Sequence, residues 1–220
     1  MKKLNLTLIG LFAAITVFSQ AEFGAFAGPQ ITYASYFTPE INLGKTKQKT
    51  EMKYGFQAGG MMRVQFEGRF FFAPMVFYSL KGYKVTLTRP SLPPDSLATD
   101  NNTTIHTIEF APLFQFNFSD APAHLFIKAG PSIDLQLFGK ERFNKSNSTA
   151  VDRNMKFSFD SDYGRFGANL LLQFGYETSS GFVISGQYTL GFGSIVNEEG
   201  GASIYHRTAG ITFGKYFRRN

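Results

Sequence analysis

The stretch from Gly55 to Lys84 most constrains the fold, because it holds two long alternating runs on either side of a short turn. Apolar residues occupy every second position before the turn Glu67-Gly68-Arg69, and the same apolar face continues after it. Its members are Phe56, Ala58, Met62, Val64, Phe66, Phe70, Phe72, Pro74, Val76 and Tyr78. Alternation with a period of two gives a β-strand two different faces. Each run is roughly 11–14 residues, whereas an ordinary strand has ~5–6 and a membrane-crossing strand needs ~9–11. The pattern therefore predicts one hairpin of a membrane β-barrel.

Six further segments show the same alternation and are predicted to be strands. They are Glu22–Tyr33, Thr104–Phe118, Ala123–Phe138, Ser161–Glu177, Phe182–Ser194 and Ser203–Phe217. The connections alternate between long and short, and the longest are predicted to be polar loops: Ala34–Met52, Val85–Asn102 and Gly139–Asp160. This asymmetry is typical of bacterial outer-membrane barrels, which have short periplasmic turns and long extracellular loops. Lipid offers no hydrogen-bond partner to an open edge, so the first strand must pair with the last. The predicted fold is an all-β, eight-stranded, antiparallel up-and-down transmembrane β-barrel.

The first residues predict export. Lys2 and Lys3 precede the mostly apolar segment Leu4–Phe18, which is the pattern of a signal peptide cleaved after Ser19. An uncleaved helix is the alternative, although the segment is short for a ~20-residue span. We therefore expect a signal peptide over residues 1–19, a barrel domain over residues 20–220, and a location in the bacterial outer membrane. The chain has no cysteine, so neither disulfides nor a lipid-bearing cysteine contribute.

The charge balance limits the partners. Removing Lys2 and Lys3 with the signal lowers the formal net charge from +6 to +4. No dense cluster of Lys and Arg is present, so nucleic-acid binding is not expected. A mild basic excess is compatible with contact to outer-membrane lipid and to lipopolysaccharide. A mean hydropathy of −0.11 fits a barrel, because each strand averages an apolar and a polar face.

Several charged residues share the inward parity of the predicted strands. They are Arg63, Glu109, Lys128, Asp134 and Arg165. Charges enclosed in a narrow barrel must pair, because an unpaired buried charge costs several kcal/mol. We therefore interpret this set as a structural ion-pair network of the lumen, and a narrow ion path is the alternative. The interior of an eight-stranded barrel is just filled by side chains, so no wide aqueous pore is expected.

Little in the sequence suggests chemistry. The histidines are His106, His124 and His206. His206 and Thr208 share a strand face, and Glu198 and Glu199 precede them, which is a minimal set for a lipid A-modifying enzyme. A catalytic set of nucleophile, base and orienting acid needs more than this spacing. His206 is therefore interpreted as a residue of the membrane–water interface. We expect no catalysis, no metal site from three scattered histidines, and no cofactor.

The strands carry several loose motifs whose order is more specific than any one of them. These are GFQAG, FFFAPMVFYSLKG, EFAPLFQF, KAGPSIDL, QYTLGFGSI and the terminal FGKYF. Together they resemble the PorT-type outer-membrane β-barrel proteins of Bacteroidetes. The resemblance implies an outer-membrane location and assembly by the barrel-insertion machinery. Two departures are Ala73-Pro74-Met75, where the family often has Gln-Pro-Glu, and an extra residue in Glu109-Phe110-Ala111-Pro112, which predicts a β-bulge.

The leading functional hypothesis is an integral outer-membrane barrel with a structural or loop-mediated binding role. The predicted loops carry charges that could meet lipopolysaccharide phosphates or an unknown protein partner; examples are Lys45, Lys47, Lys140 and Arg142. A transport- or secretion-associated barrel is the alternative, followed by the lipid A-modifying enzyme. A soluble lipocalin-like barrel would need the apolar face to point inward, which the many phenylalanines disfavour.

Overall fold

The computed structural model describes residues 21–40, 44–147, 149–198 and 200–217, so the predicted signal peptide lies outside the described residues. The described chain forms one sheet of thirteen antiparallel β-strands. They are β1 (Glu22–Glu40), β2 (Gly44–Lys47), β3 (Lys49–Glu51), β4 (Lys53–Glu67), β5 (Phe70–Phe72), β6 (Met75–Thr86), β7 (Asp100–Ala111), β8 (Phe114–Asn117), β9 (His124–Asn144), β10 (Ala150–Met155), β11 (Phe166–Glu177), β12 (Phe182–Gly191) and β13 (Ser203–Phe217). Within these ranges, no helix is long and apolar enough to cross a membrane.

The sheet closes on itself as an eight-stranded barrel. Its members in order are β1, β4, β5 with β6, β7 with β8, β9, β11, β12 and β13. The seam between the first and last strands extends from Phe23 opposite Phe217 to Phe37 opposite Ser203. Closure satisfies the edge groups that lipid would leave unpaired. The predicted up-and-down barrel is confirmed.

The apolar side chains of the alternating pattern face outward, as predicted. Phe110, Phe114 and Phe166 each expose about half of their surface, whereas Glu109 and Gln115 on the opposite parity are buried. The outward side chains form an apolar belt that faces hydrocarbon. Gly68 and Gly181 adopt positive φ angles of 51° and 81° in two of the short turns, where glycine avoids the steric cost of a side chain.

Pro74, between β5 and β6, and Pro112, between β7 and β8, interrupt the hydrogen-bonded ladder without shifting its register. Phe110 faces Ile133 and Phe114 faces Ala129, which keeps the same pairing on both sides of Pro112. The predicted bulge at this point is therefore wrong: proline removes a ladder hydrogen bond but no residue is inserted. A register shift does occur between β7 and β9, where His106 faces Phe138 and Thr107 faces Gln136, so Leu137 of β9 is the extra residue.

The predicted loops at the end opposite the short turns are wrong in large part. β1 continues to Glu40 and pairs with β2, while β9 continues to Asn144 and pairs with β10. We call this part of the molecule the extracellular end, because long connections of such barrels face outward from the cell. Beneath it lies a buried cluster that we call the extracellular core. Its members are Ala34, Tyr36, Tyr83, Val85, Leu87, Ala98, Ile105, Phe143, Met155, Phe157, Tyr163, Ile195, Ala202 and Ile204.

The interior nearer the short turns is also more apolar than the sequence predicted. A second cluster, here the turn-side core, fills it with Phe26, Met61, Met75, Phe77, Ala111, Leu113, Phe126, Leu171, Val183 and Tyr216. The expectation that each strand combines one apolar face with one polar face is therefore corrected for this layer, where apolar side chains also point inward. Polar and charged side chains are concentrated in layers around this core.

Candidate functional site

The central lumen holds a buried cluster of one cation and two carboxylates. Lys81 of β6 donates from Nζ to Glu109 Oε2 of β7 at 3.0 Å, and to both carboxylate oxygens of Asp134 of β9 at 2.9 and 2.8 Å. Ser132 Oγ donates to the other Glu109 oxygen at 2.6 Å. All of these side chains are buried. We call Lys81, Glu109 and Asp134 the central cluster.

Polar side chains bridge the lumen beside the central cluster. Gln30 of β1 donates from Nε2 to Ser79 Oγ of β6 at 2.8 Å, and Gln187 of β12 donates to Gln57 Oε1 of β4 at 2.9 Å. These contacts join strands that are not neighbours in the barrel, so they cross its interior. The interior is therefore occupied by interlocking side chains at this level, as expected for eight strands.

A second ionic cluster lies at the end with the short turns. Arg63 of β4 pairs with Glu22 of β1 and with Glu177 of β11, to which its Nη2 donates at 2.9 Å. The guanidinium carbon lies 4.1 Å from the centre of the Tyr216 ring. Lys128 Nζ donates to the Tyr216 hydroxyl at 3.1 Å. We call Arg63, Glu22 and Glu177 the mouth cluster.

The residues predicted to form one lumen network are thus divided. Glu109 and Asp134 belong to the central cluster, whereas Arg63 and Lys128 meet at Tyr216 of the turn-side core. Arg165 is exposed and precedes β11, so its prediction as a lumen residue is wrong. The prediction applied the inward parity of β11 to Arg165, which lies before the first residue of that strand.

Sequence reasoning missed two partners that complete these clusters. Lys81 follows Ser79 on the inward parity of its strand, and Glu177 follows Gln173 on the inward parity of β11. Each could have been found by extending the alternation to the end of its strand. Both side chains are almost fully buried.

The histidines do not assemble a catalytic set. His206 and Thr208 share a face, but that face is the lumen, where both are buried. The interpretation of His206 as an interfacial residue is therefore corrected. His106 faces outward and stacks on Phe138 at 4.1 Å between ring centres, while His124 lies at the mouth cluster with Nε2 3.7 Å from Glu177 Oε2.

The extracellular end contains a third group of polar residues. Glu141 of β9 accepts hydrogen bonds from Arg153 Nε at 2.7 Å, from the Tyr163 hydroxyl at 2.6 Å and from Asn101 Nδ2 at 3.1 Å. Burial raises the pKa of Tyr163 well above its ordinary value, so the phenol is a neutral donor. We call Glu141, Arg153, Tyr163 and Asn101 the Glu141 group.

A hollow of about 460 Å³ opens beside the Glu141 group. Lys156, Asp160 and Asp162 also line it, so both signs of charge face the hollow. Such a surface can take a ligand or partner with mixed polar groups. In the described part of the chain, no group of three or more His, Cys, Asp or Glu side chains could hold a metal ion.

Residues 16–197 match the model of a family described as outer membrane protein beta-barrel domain. No curated protein matches the sequence.

Several solved structures are similar to this one, among them an outer membrane protein. Neisserial surface protein A is 11% identical, with a TM-score of 0.44, over 90% of this chain and 99% of its own. OprG from Pseudomonas aeruginosa is 14% identical, with a TM-score of 0.44, over 91% and 98%. Ail, the attachment invasion locus protein of Yersinia pestis, is 14% identical, with a TM-score of 0.37, over 88% and 99%. Likeness at this level carries no conclusion about function.

Proposed function

The chain belongs to the outer membrane protein beta-barrel domain family, and from this premise we propose that it is a non-catalytic barrel with a closed lumen that binds through its extracellular end. The observation that carries the proposal is the folded extracellular end itself. Strands continue past the barrel over a buried core of their own. Ordering such a segment costs conformational entropy, and a fixed surface is useful for recognition.

The interior supports binding in preference to passage of solutes. The central cluster and the glutamine bridges cross the lumen, and the turn-side core and the extracellular core lie on either side of them. The network is interpreted as a structural filling of the barrel. A transport- or secretion-associated barrel remains the alternative, and the lipid A-modifying enzyme has no support from His206 and Thr208, which face the lumen.

Several finer features belong to the same proposal. The order of the strand motifs supports membership of the PorT-type subgroup, without transfer of any role in secretion. Residues 1–19 are proposed to be a cleaved signal peptide, which mass measurement of the mature protein would test. The aromatic end of β13, with Tyr216 and Phe217, is proposed to serve recognition by the barrel-insertion machinery. Lipopolysaccharide and an unknown protein are the proposed partners of the extracellular end.

Conductance separates the closed barrel from the transport alternative. The purified, refolded protein in planar bilayers should give no stable single-channel steps, because side chains fill the lumen. Heat-modifiable gel migration establishes that the protein in the assay is folded. Reproducible channels of constant conductance would overturn the closed-lumen proposal.

Site-specific photo-crosslinking in intact cells tests the binding role. A photoreactive residue at Asn154, which is exposed on β10 and lines the hollow, should give a discrete product with lipopolysaccharide or one extracellular protein. The matched site is Asp120 in a short turn at the opposite end, where that product should not form. The product should also weaken in Arg153→Gln. Absence of any product at Asn154, or an equal product at Asp120, would contradict loop-mediated binding.

A further inference from the structure

The outer surface of the barrel carries a groove of about 690 Å³ that crosses β11, β12, β13 and β1. Its floor is made by small residues, of which Gly186 and Ala209 face outward. A methyl group added to Gly186 would meet no atom within 4 Å, so the hollow at this glycine is open. Phe174, Tyr188 and Ile211 stand around it. The groove is an apolar channel within the lipid-facing belt.

The pairing register of the strands explains why the groove forms. Gly186 pairs with Phe174 on one side and with Ile211 on the other, so a missing side chain lies between two large ones. Ala209 pairs with Tyr188 and with Ile31 in the same manner. Two small residues on adjacent strands thus leave a continuous depression in a surface of large side chains. Lipid acyl chains contact this outward-facing surface, so a depression in it is a place where one acyl chain can lie in a fixed orientation.

A charged side chain, Arg207, lies next to the groove on its extracellular side, beyond the residues that line it. Arg207 lies two residues before Ala209 on the same outward parity, and faces Tyr33 across the seam between β13 and β1. It lies beside the Tyr188 hydroxyl, which is 3.4 Å from the hydroxyl of Tyr33. Its Nε is buried and has no hydrogen-bond partner among the described residues. The Arg207 side chain as a whole is only partly buried, so part of a guanidinium lies at the surface beside the apolar channel.

An arginine in the lipid-facing belt needs an anionic partner. Cationic side chains on this face cost free energy, less near the interface than at the midplane, and a phosphate can accept two hydrogen bonds from a guanidinium. Arg207 is the fifth residue of β13 counted from the extracellular end. A phosphate at that level belongs to the outer leaflet, and the channel below Arg207 is where an acyl chain of the same molecule would extend.

We propose that this groove is a binding site for lipid A, with one phosphate on Arg207 and one acyl chain over Gly186 and Ala209. The inference rests on the proposed orientation in the outer membrane, but it does not require the extracellular end to bind any partner. Charge complementarity at Arg207 and continuity with the lipid-facing belt both favour a phosphorylated lipid. The outer leaflet of a bacterial outer membrane makes lipid A the source to which the site is assigned.

Native mass spectrometry of the refolded protein, titrated with lipid A in detergent, tests this assignment. Arg207→Gln should lower the fraction with one bound lipid A about tenfold, because a charged hydrogen bond is lost. Its matched control is Lys215→Gln, a cation on the same strand and face but at the opposite end of β13, where it lies over the ring of Phe182. Gly186→Leu should also lower binding by filling the channel. Its control is Gly60→Leu, an outward glycine with open space around it, on β4 and outside the groove.

Three results would overturn the site. The first is equal lipid A binding by Arg207→Gln, Gly186→Leu and the unaltered protein, when heat-modifiable migration shows all of them to be folded. The second is equal binding of lipid A and of its dephosphorylated form, which would leave hydrocarbon contact alone. The third is equal binding of phosphatidylglycerol, which would make a phospholipid the occupant. None of these results bears on conductance or on crosslinking at Asn154, so failure here is distinguishable from failure of the proposed function.

Discussion

The outward positions of the strands carry opposite kinds of residue in two regions of the molecule. They are apolar in the membrane-spanning ring, which is the part of the barrel with the outward apolar belt, and polar at the extracellular end. In the part of β6 nearer the short turns, Val76 and Tyr78 face outward, while the lumen side carries Phe77 of the turn-side core and then Lys81. Nearer the extracellular end the outward face becomes polar, because Lys84 is exposed while Tyr83 and Val85 are buried inside. The strand has left hydrocarbon and entered water, so the apolar face turns from outside to inside. A single continuous strand thus extends from hydrocarbon into water.

This inversion teaches that the two regions are stabilised by different interactions. The ring has lipid outside and must enclose its charges, so its central cluster depends on complete pairing. The extracellular end has water outside and an apolar core inside, as in an ordinary soluble sheet. Damage to the ring should therefore affect the whole barrel, and damage at the extracellular end should remain local. The predictions below test that difference, from the largest expected effect to the smallest.

Removing the cation of the central cluster should have the largest effect. Lys81→Met leaves Glu109 and Asp134 buried together without a positive partner, which we expect to destabilise the barrel by about 3–5 kcal/mol. Urea unfolding in lipid vesicles, followed by heat-modifiable migration, measures the loss. Lys84→Met is the matched control, since that lysine is exposed on the same strand and should tolerate the change. A difference below about 0.5 kcal/mol between the two variants would contradict a dependence on pairing.

A small steric change at the closing seam should come next. A methyl group at Gly28 would lie 1.9 Å from the backbone oxygen of Ile211 on the neighbouring strand, so the seam must shift. We expect Gly28→Ala to cost about 1–3 kcal/mol of barrel stability. Gly186→Ala is the same substitution in open space on β12 and should be nearly neutral. Equal stabilities of these two variants in vesicle unfolding would show that the seam is not closely packed.

The ring could be predicted in detail because lipid enforces the alternation. The structure gives β13 the predicted bounds of Ser203–Phe217, and it places Phe110 and Phe114 outward as the parity required. The charged residues were less predictable, since parity identifies a face but not a partner. Asp134 was found in this way, yet Lys81, which completes its pairing, was not.

The extracellular end was predicted poorly for a physical reason. Tyr83 and Val85 are apolar at inward positions, so they contradict the outward apolar pattern of the ring and suggest that the strand has ended. Polar residues on the opposite face add to that impression. The register shift near His106 also changes the parity of β9 relative to β7, and alternation alone does not show where this occurs. Sequence reasoning therefore ended the strands where the solvent changes.

A change within the Glu141 group should have a smaller and more local effect than Lys81→Met. Glu141→Gln keeps one oxygen acceptor, which Tyr163 and Asn101 can share as they share Oε2 of Glu141, but it removes the charge and the acceptor that pair with Arg153, at a cost of about 1 kcal/mol. Hydrogen exchange should show faster opening of β10, while unfolding of the ring in vesicles stays unchanged. Asp152→Asn, which changes an exposed acid of β10, serves as the control. Lower stability of the entire barrel would show that the two regions are not separable.

The smallest effect should come from acidification of an extracellular ion pair. Lys145 donates to Asp95 at 2.7 Å, and this contact together with the Leu97 amide lowers the pKa of Asp95 below its ordinary value of 3.8. A lowered folded-state pKa means that the pair stabilises the loop fully above about pH 4, and the contribution is lost as pH falls through the lower value. Because the pair is partly exposed, we expect about 0.2–1 kcal/mol. Protection of the Leu97 amide against exchange, relative to the intrinsic rate at each pH, should fall below pH 4 and in Asp95→Asn, but not in Asp160→Asn, an exposed acid of another loop. An equal loss of protection at ring amides over the same pH range would break the comparison, because a surface pair at the extracellular end would then control the barrel.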